Sequence, residues 1–156
     1  MDYRIYLFIG EMMLPKSWYG DTEFIALRLQ GEQMAMQHFF KGAFTLTTPE
    51  QGSWFWQGIL TLNMKGIDHP EHTLKIVYPD YFPALPPTAY VINPPIQPSP
   101  YQYRDGSLGL FNPHDGVEQG WNPAKSTAAT IAIWSTEWLY AYYTWKITGT
   151  WPQAKR

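Results

Sequence analysis

The sequence contains no cysteine. That excludes disulfides, thiolate zinc sites and every thiol nucleophile, and it is compatible with the cytoplasm. Positive charge is not in excess either: 11 Lys and Arg stand against 13 Asp and Glu, for a formal net charge of -2. A nucleic-acid-binding domain carries a basic patch that neutralises phosphates, so this balance argues against a nucleic-acid partner. No stretch approaches the ~18 apolar residues of a membrane-spanning helix, which argues against a membrane partner. The N-terminus, MDYRIYLFIGEMM, holds only a short apolar run from Ile5 to Ile9, with Asp2 close to the start and no small-residue cleavage site after it. It fits a first strand better than a signal peptide, and the expected setting is cytoplasmic.

What is present points to one globular domain, 1–156. A chain of 156 residues with 45% hydrophobic and 15% charged residues is long and apolar enough to bury a sizeable core. Aromatics are abundant at 17%, with Trp 8 and Tyr 11, and the 14 prolines cluster.

Ser17 to Gly20 form a turn, and Asp21 or Thr22 caps a helix to about Phe39 with Phe24, Leu27, Met34 and Phe39 as its apolar side. Gly31 weakens that helix, and Lys41–Gly42 ends it. Four strands follow as an antiparallel meander: Phe44 to Thr48, Trp54 to Met64, Thr73 to Pro79 and Thr88 to Asn93. From Pro94 to Asp105, prolines at 94, 95, 98 and 100 impose an extended, stiff loop. The stretch DGSLGLFNP, Asp105 to Pro113, then has the outline of a site rim: a polar turn, a short apolar strand and a polar loop. The last helix is capped by Ser126 or Thr127, runs to about Ile147 and stops at Thr148–Gly149. Its stripe of Ile131, Trp134, Trp138, Leu139, Tyr142 and Trp145 has the 3–4 residue spacing of core packing. The fold class is α+β, with no internal repeat and no interdomain linker.

These pieces resemble the ubiquitin-conjugating-enzyme family over about residues 22 to 152, with 1–21 as an N-terminal extension. The most specific is YPDYFPALPPTAYV, Tyr78 to Val91, whose prolines at 79, 83, 86 and 87 match the turn between the family's third and fourth strands. WFWQGILTL fits the second strand, DGSLGLF fits the segment G-x-(Ile/Leu)-Cys-Leu, and WNPAKSTAATI fits the start of the next helix. The ending EWLYAYYTWKITGTWP is similar to a bacterial branch found in antiphage signalling operons built around cyclic-oligonucleotide synthases. The resemblance implies a UBC-like fold: an N-terminal helix, a four-stranded meander, a long proline-rich loop at the active-site position and an aromatic-rich C-terminal helix.

Gly109 takes the place of the family's cysteine. That thiol accepts a ubiquitin-like C-terminus as a thioester and passes it to an amine, which needs a good nucleophile that is also a good leaving group. Glycine has no side chain, so position 109 forms no acyl intermediate and no catalytic residue is assigned. The family's His-Pro-Asn triad falls on Ser99, Pro100 and Tyr101, where only the proline matches. Ser107 is two residues from Gly109, on the same face of the expected strand, with no His–acid pair beside it; a serine ester would also be a poorer acyl donor.

The resemblance implies a groove for an extended tail, lined by Tyr101, Asp105, Ser107, Leu108, Gly109, Leu110, His114 and Trp121. His114–Asp115 has the chemistry to orient or deprotonate an amine but equally forms a turn, and Trp121 serves either the groove or packing. Asp68-His69-Pro70-Glu71-His72 has metal-type residues, yet Pro70 breaks any helical face, so neither a metal nor a cofactor is expected. Three functions remain open. One is a catalytically inactive conjugating-enzyme-like protein that binds a ubiquitin-like tail or a conjugation partner, such as an activating enzyme of the same operon. The second is an active conjugating-type transferase whose cysteine at 109 has been substituted. The third is a non-conjugating scaffold of a defence complex that binds the nucleotide synthase of the same operon, an effector or a phage protein.

Overall fold

The computed structural model describes residues 6–9, 12–15, 17–112, 116 and 119–152. The first strand expected at the N-terminus is one arm of a hairpin, β1 (Tyr6–Ile9) with β2 (Met12–Pro15), which forms its own two-stranded sheet. A short 3-10 turn, Trp18–Gly20, leads into α1 (Thr22–Phe40). Asp21 caps α1 by accepting a hydrogen bond from the Phe24 amide at 3.0 Å, which satisfies one of the amides that a helix start leaves unpaired. Lys41 at φ 49 and Gly42 at φ 85 turn the chain out of it, the left-handed exit that Lys41–Gly42 suggested.

The main sheet is an antiparallel meander in the order β3 (Phe44–Thr47), β4 (Phe55–Thr61), β5 (Glu71–Val77) and β6 (Thr88–Asn93). β6 has the expected bounds. β4 and β5 start and stop a few residues away from the expected limits. Trp54 leaves the ladder because its amide donates to the Tyr19 hydroxyl at 3.0 Å, and Tyr78 lies beyond β5 with its amide on the Trp54 carbonyl. The capping box of Thr127 and Thr130 starts α2 (Ala128–Thr148), and Gly149 at φ 79 ends it, so both ends fall where the sequence placed them. α2 packs on β5, β6 and α1. Ile131, Trp138, Leu139 and Tyr142 of its stripe are buried against Leu74, Ile76 and Ala89, while Trp134 and Trp145 are half-buried.

The apolar side expected for α1 is wrong. Phe24 is buried, but Leu27, Met34 and Phe39 are 63%, 66% and 57% exposed. The inner face follows Phe24, Arg28, Glu32 and Met36 at steps of four, and its centre is charged, so a search for apolar periodicity selects the wrong side. Glu32 is fully buried: its Oε1 accepts from the Tyr78 hydroxyl and from the Ala128 amide, each at 2.8 Å. Arg28 sits 3.5 Å from Oε2 and donates to the carbonyls of Pro123 and Ser126. Burial raises the Glu32 pKa, against the pull of Arg28 and of both hydrogen bonds. One carboxylate thereby ties α1 to the end of β5 and to the start of α2.

Candidate functional site

The proline block Tyr78 to Pro87 is anchored in the core and to Trp121. Phe82 is fully buried, with its ring 4.8 Å from that of Trp18 and 6.0 Å from that of Trp121. Trp121 is only 8% exposed and its indole Nε1 donates to the Pro83 carbonyl at 2.7 Å. Of its two expected roles, the structure gives Trp121 packing, and it offers no open surface to a tail.

The proline loop from Pro94 onward is extended, as its composition requires, and it is held along α2 rather than left free. The Pro94 carbonyl meets His72 Nδ1 at 3.0 Å, and the Tyr142 hydroxyl accepts from the Gln97 amide at 3.0 Å. Trp138 Nε1 donates to the Tyr101 carbonyl at 3.0 Å. His72 is buried, which lowers its pKa, and its Nε2 contacts the Tyr143 hydroxyl. It serves the loop. Among the described residues no group of three His, Asp or Glu is arranged to hold a metal ion, and no helix is long and apolar enough to cross a membrane.

The short strand expected at Leu108–Phe111 is not formed. A single bridge joins Gln102 to Leu108, and the main chain of 107–109 is spent on separate partners. The Leu108 amide donates to Ala89, extending the edge of β6, while the Ser107 carbonyl accepts from the Tyr103 amide. The Gly109 amide donates to the Tyr101 carbonyl at 2.7 Å. That carbonyl, already held by Trp138, occupies the space beside Gly109. A Cβ built on Gly109 would stand 2.7 Å from the Tyr101 oxygen and 3.2 Å from its carbonyl carbon. Tyr101 reaches this position with φ at 60, a left-handed conformation uncommon outside glycine. The φ of Gly109 is not left-handed, so the obstacle to a side chain there is space and not backbone conformation.

Ser107 is 3% exposed and does not share an open face with Gly109. Its hydroxyl and amide donate to Asp105 Oδ1 at 2.6 and 2.9 Å, which closes the turn over Gly106 at φ 89. These bonds hold the exposed Asp105 carboxyl below its ordinary pKa, with Tyr90 adding a weaker contact. Among the described residues the hydroxyl's partner is the Asp105 carboxylate and not a histidine. Leu108 and Leu110 are buried beneath the rim. What faces outward among the described residues is Tyr101 at 64% exposure, Tyr103 at 55%, Arg104, Asp105, and Gly109 in part. His114 and Asp115 lie outside the described residues.

Three site features escaped the sequence reading. The Tyr101 carbonyl is main chain, and no residue type announces it. The spacing of Trp138 points to packing alone, whereas its indole is also a donor. Trp151, beyond α2, packs its ring 5.3 Å from Tyr101 and 5.1 Å from Trp138, so the C-terminal segment buttresses the loop. The segment W-x-x-T-G-x-W was the only signal for it.

Comparison with known proteins bears on the family and the fold. The family model described as type II CBASS E2 protein matches residues 32–156. In fold, the chain is similar to human ubiquitin-conjugating enzyme E2 G1, with a TM-score of 0.54 and 17% identity, covering 74% of this chain and 94% of that one. It is also similar to the yeast Vps23 UEV domain, solved in complex with a Vps27 PSDP peptide, with a TM-score of 0.50, 14% identity and 85% of each chain covered. No curated protein matches the chain.

Proposed function

Because the chain belongs to the family of type II CBASS E2 proteins, we propose that it is an E2-like protein of bacterial antiphage defence that works by binding and not by thioester transfer. The observation that carries this reading is the space at position 109. Losing a thiol removes the nucleophile; filling its place with a doubly held carbonyl removes the room for one. The second open reading, an active transferase with a substituted cysteine, requires a thiol where the Tyr101 oxygen stands 2.7 Å from the Cβ position. Ser107 offers no substitute, since its hydroxyl is buried and donates to a carboxylate.

The surface left for binding is formed by Tyr101, Tyr103, Asp105 and Gly109, with Ser107, Leu108, Leu110 and Trp121 supporting it from beneath. Exposed tyrosines are strong contact residues because they combine a large apolar ring with a hydroxyl. An extended ubiquitin-like tail, or a segment of a conjugation partner, would lie on this rim without a covalent step. The Vps23 UEV domain, which shares the fold, was solved holding a peptide, which is the same kind of task.

The test combines the unaltered protein with the activating enzyme and ubiquitin-like protein encoded nearest to it, with ATP, and reads intact mass together with calorimetric binding of the ubiquitin-like tail and of each protein alone. Reversible binding with no covalent adduct is expected, and Tyr101→Ala should weaken it. Any adduct on the unaltered chain refutes the binding-only reading. Failure of every one of these partners to bind removes tail and partner capture and leaves the scaffold role, for which the nucleotide synthase is the ligand to titrate.

A further inference from the structure

Among the described residues, none covers the outward face of α1. Leu27 and Met34 are 63% and 66% exposed, and Glu23, Gln30, Gly31 and His38 are exposed with them. At about 100° per residue these six fall within one stripe along the helix, with Leu27 and Met34 about 10 Å apart. Gly31 lies between the two apolar side chains, in the interior of a 19-residue helix where glycine is unfavourable relative to alanine. Its surroundings do not require glycine: nothing lies within 4 Å of the place a Cβ would take. A glycine without an internal reason, flanked by two exposed apolar side chains, suits a second backbone approaching from outside.

The stripe is also symmetric about its own centre. Leu27 and Met34 are equidistant from the midpoint between Gln30 and Gly31, and so are Glu23 and His38. One end of the stripe is acidic, Glu23, and the other carries His38 followed by Lys41. We propose that this face of α1 is a homodimer interface in which two copies pack their α1 helices antiparallel about a two-fold axis at Gln30–Gly31. Leu27 of each copy meets Met34 of the other, Glu23 meets His38 and Lys41, and the two Gly31 backbones approach at the axis. A parallel pairing would set Glu23 against Glu23 and is disfavoured. An interface in which residue i meets j and j meets i is what a two-fold axis requires. The proposal does not depend on the function of the rim around Gly109.

A single helix pair buries less than the ~1,600 Å² of a standard interface, so the dimer is weak and depends on concentration. Sedimentation equilibrium of the whole chain from about 1 to 500 µM should show the mean mass rising from 18.1 kDa toward twice that value. Leu27→Asp, at an exposed position that leaves the fold intact, should raise the dissociation constant at least tenfold. Glu23→Lys should weaken the dimer, and adding His38→Glu should restore it. Because the chain has no cysteine, one introduced thiol reports the axis directly. Gln30→Cys, about 50° round the helix from the axis, should form a disulfide-linked dimer under mild oxidation, whereas Gln33→Cys, about 110° from it, should not. A chain that stays at 18.1 kDa throughout the range overturns the proposal, even if the stripe binds another protein. So does a dimer that Leu27→Asp leaves unchanged, or one in which Gln33→Cys crosslinks as fast as Gln30→Cys.

Discussion

Replacing Gly109 with alanine should destabilise the protein although it adds a single methyl group. The new Cβ would stand 2.7 Å from the Tyr101 oxygen and 3.2 Å from its carbonyl carbon, and both are main chain, so no side-chain rotation relieves the contact. Overpacking of this kind costs about 1–3 kcal/mol. If the Tyr101 carbonyl moves away, it loosens its bonds from the Gly109 amide at 2.7 Å and from Trp138 Nε1 at 3.0 Å. Each such bond contributes about 1 kcal/mol net. Alanine restricts the unfolded chain and returns about 0.4–1 kcal/mol. The balance is a loss of about 1–3 kcal/mol, or about 2–4 °C in Tm for each kcal/mol in a chain of this size. Denaturant unfolding at low micromolar protein, followed by tryptophan fluorescence, should show a lower midpoint with an unchanged slope. Gly31→Ala is the matched control: the same methyl group added in open space on a helix should stabilise by about 0.5–1 kcal/mol. A Gly109→Ala variant as stable as the parent would show that position 109 has room for a side chain, and the case against thioester chemistry would then rest on the missing sulfur alone.

Two further perturbations test the frame around the site. Trp121→Phe keeps an aromatic side chain but shortens the indole to a single ring and removes the 2.7 Å bond to the Pro83 carbonyl, leaving a buried acceptor unpaired; denaturant unfolding should show a loss of at least about 1–3 kcal/mol, and an unchanged midpoint would remove Trp121 as the tie to the proline block. Glu32→Gln isolates the buried carboxyl. The folded-state pKa of Glu32 is raised, so the folded state holds its proton to higher pH than the unfolded chain does. That contribution is full below the ordinary glutamate value near 4.3 and is lost as pH rises through the raised folded-state value. The stability of the parent minus that of Glu32→Gln should therefore fall as pH rises above about 4.3; a flat or rising difference in thermal melts across this range would contradict the burial.

The sequence was most legible where local chemistry and tertiary packing agree. β6 begins after the Pro86–Pro87 pair and ends before Pro94, two steric stops that also bound it in space. The ends of α2 were readable because Thr127 and Gly149 satisfy helix termini by local bonds. α1 was misread for the opposite reason. Its inner face is centred on Glu32, whose burial depends on Tyr78 and Ala128, residues 46 and 96 positions away. The segment Leu108–Phe111 has strand-like composition, but its amides go to Ala89 and Tyr101 separately, and only the folded chain determines that. At the site, the absence of a thiol was legible from one letter. The reason that a thiol has no room was not, because a main-chain carbonyl in a left-handed tyrosine has no signature in composition or spacing.

This difference bears on what restoring a thiol at position 109 would do. If glycine had merely replaced a cysteine on an otherwise intact frame, restoring the thiol would restore a nucleophile. Here the Tyr101 carbonyl fills the space beside Gly109, Trp138 and the Gly109 amide hold that carbonyl, and Trp151 packs on the Tyr101 ring. Glycine at 109 and the left-handed turn at 101 are thus one structural feature with two parts. A side chain at 109 forces the carbonyl away, and a carbonyl at this position admits only glycine. The two positions should therefore be energetically coupled, as residues in direct contact are. Gly109→Cys alone should be destabilised like Gly109→Ala. Tyr101→Gly, free of the left-handed strain, should recover part of the loss in the double variant by letting the loop withdraw. A double-mutant cycle in denaturant unfolding measures this, with a coupling of about 0.5–3 kcal/mol expected between the two sites. Strict additivity would mean that the loop and the glycine are independent, and that the closed site is a property of one residue only.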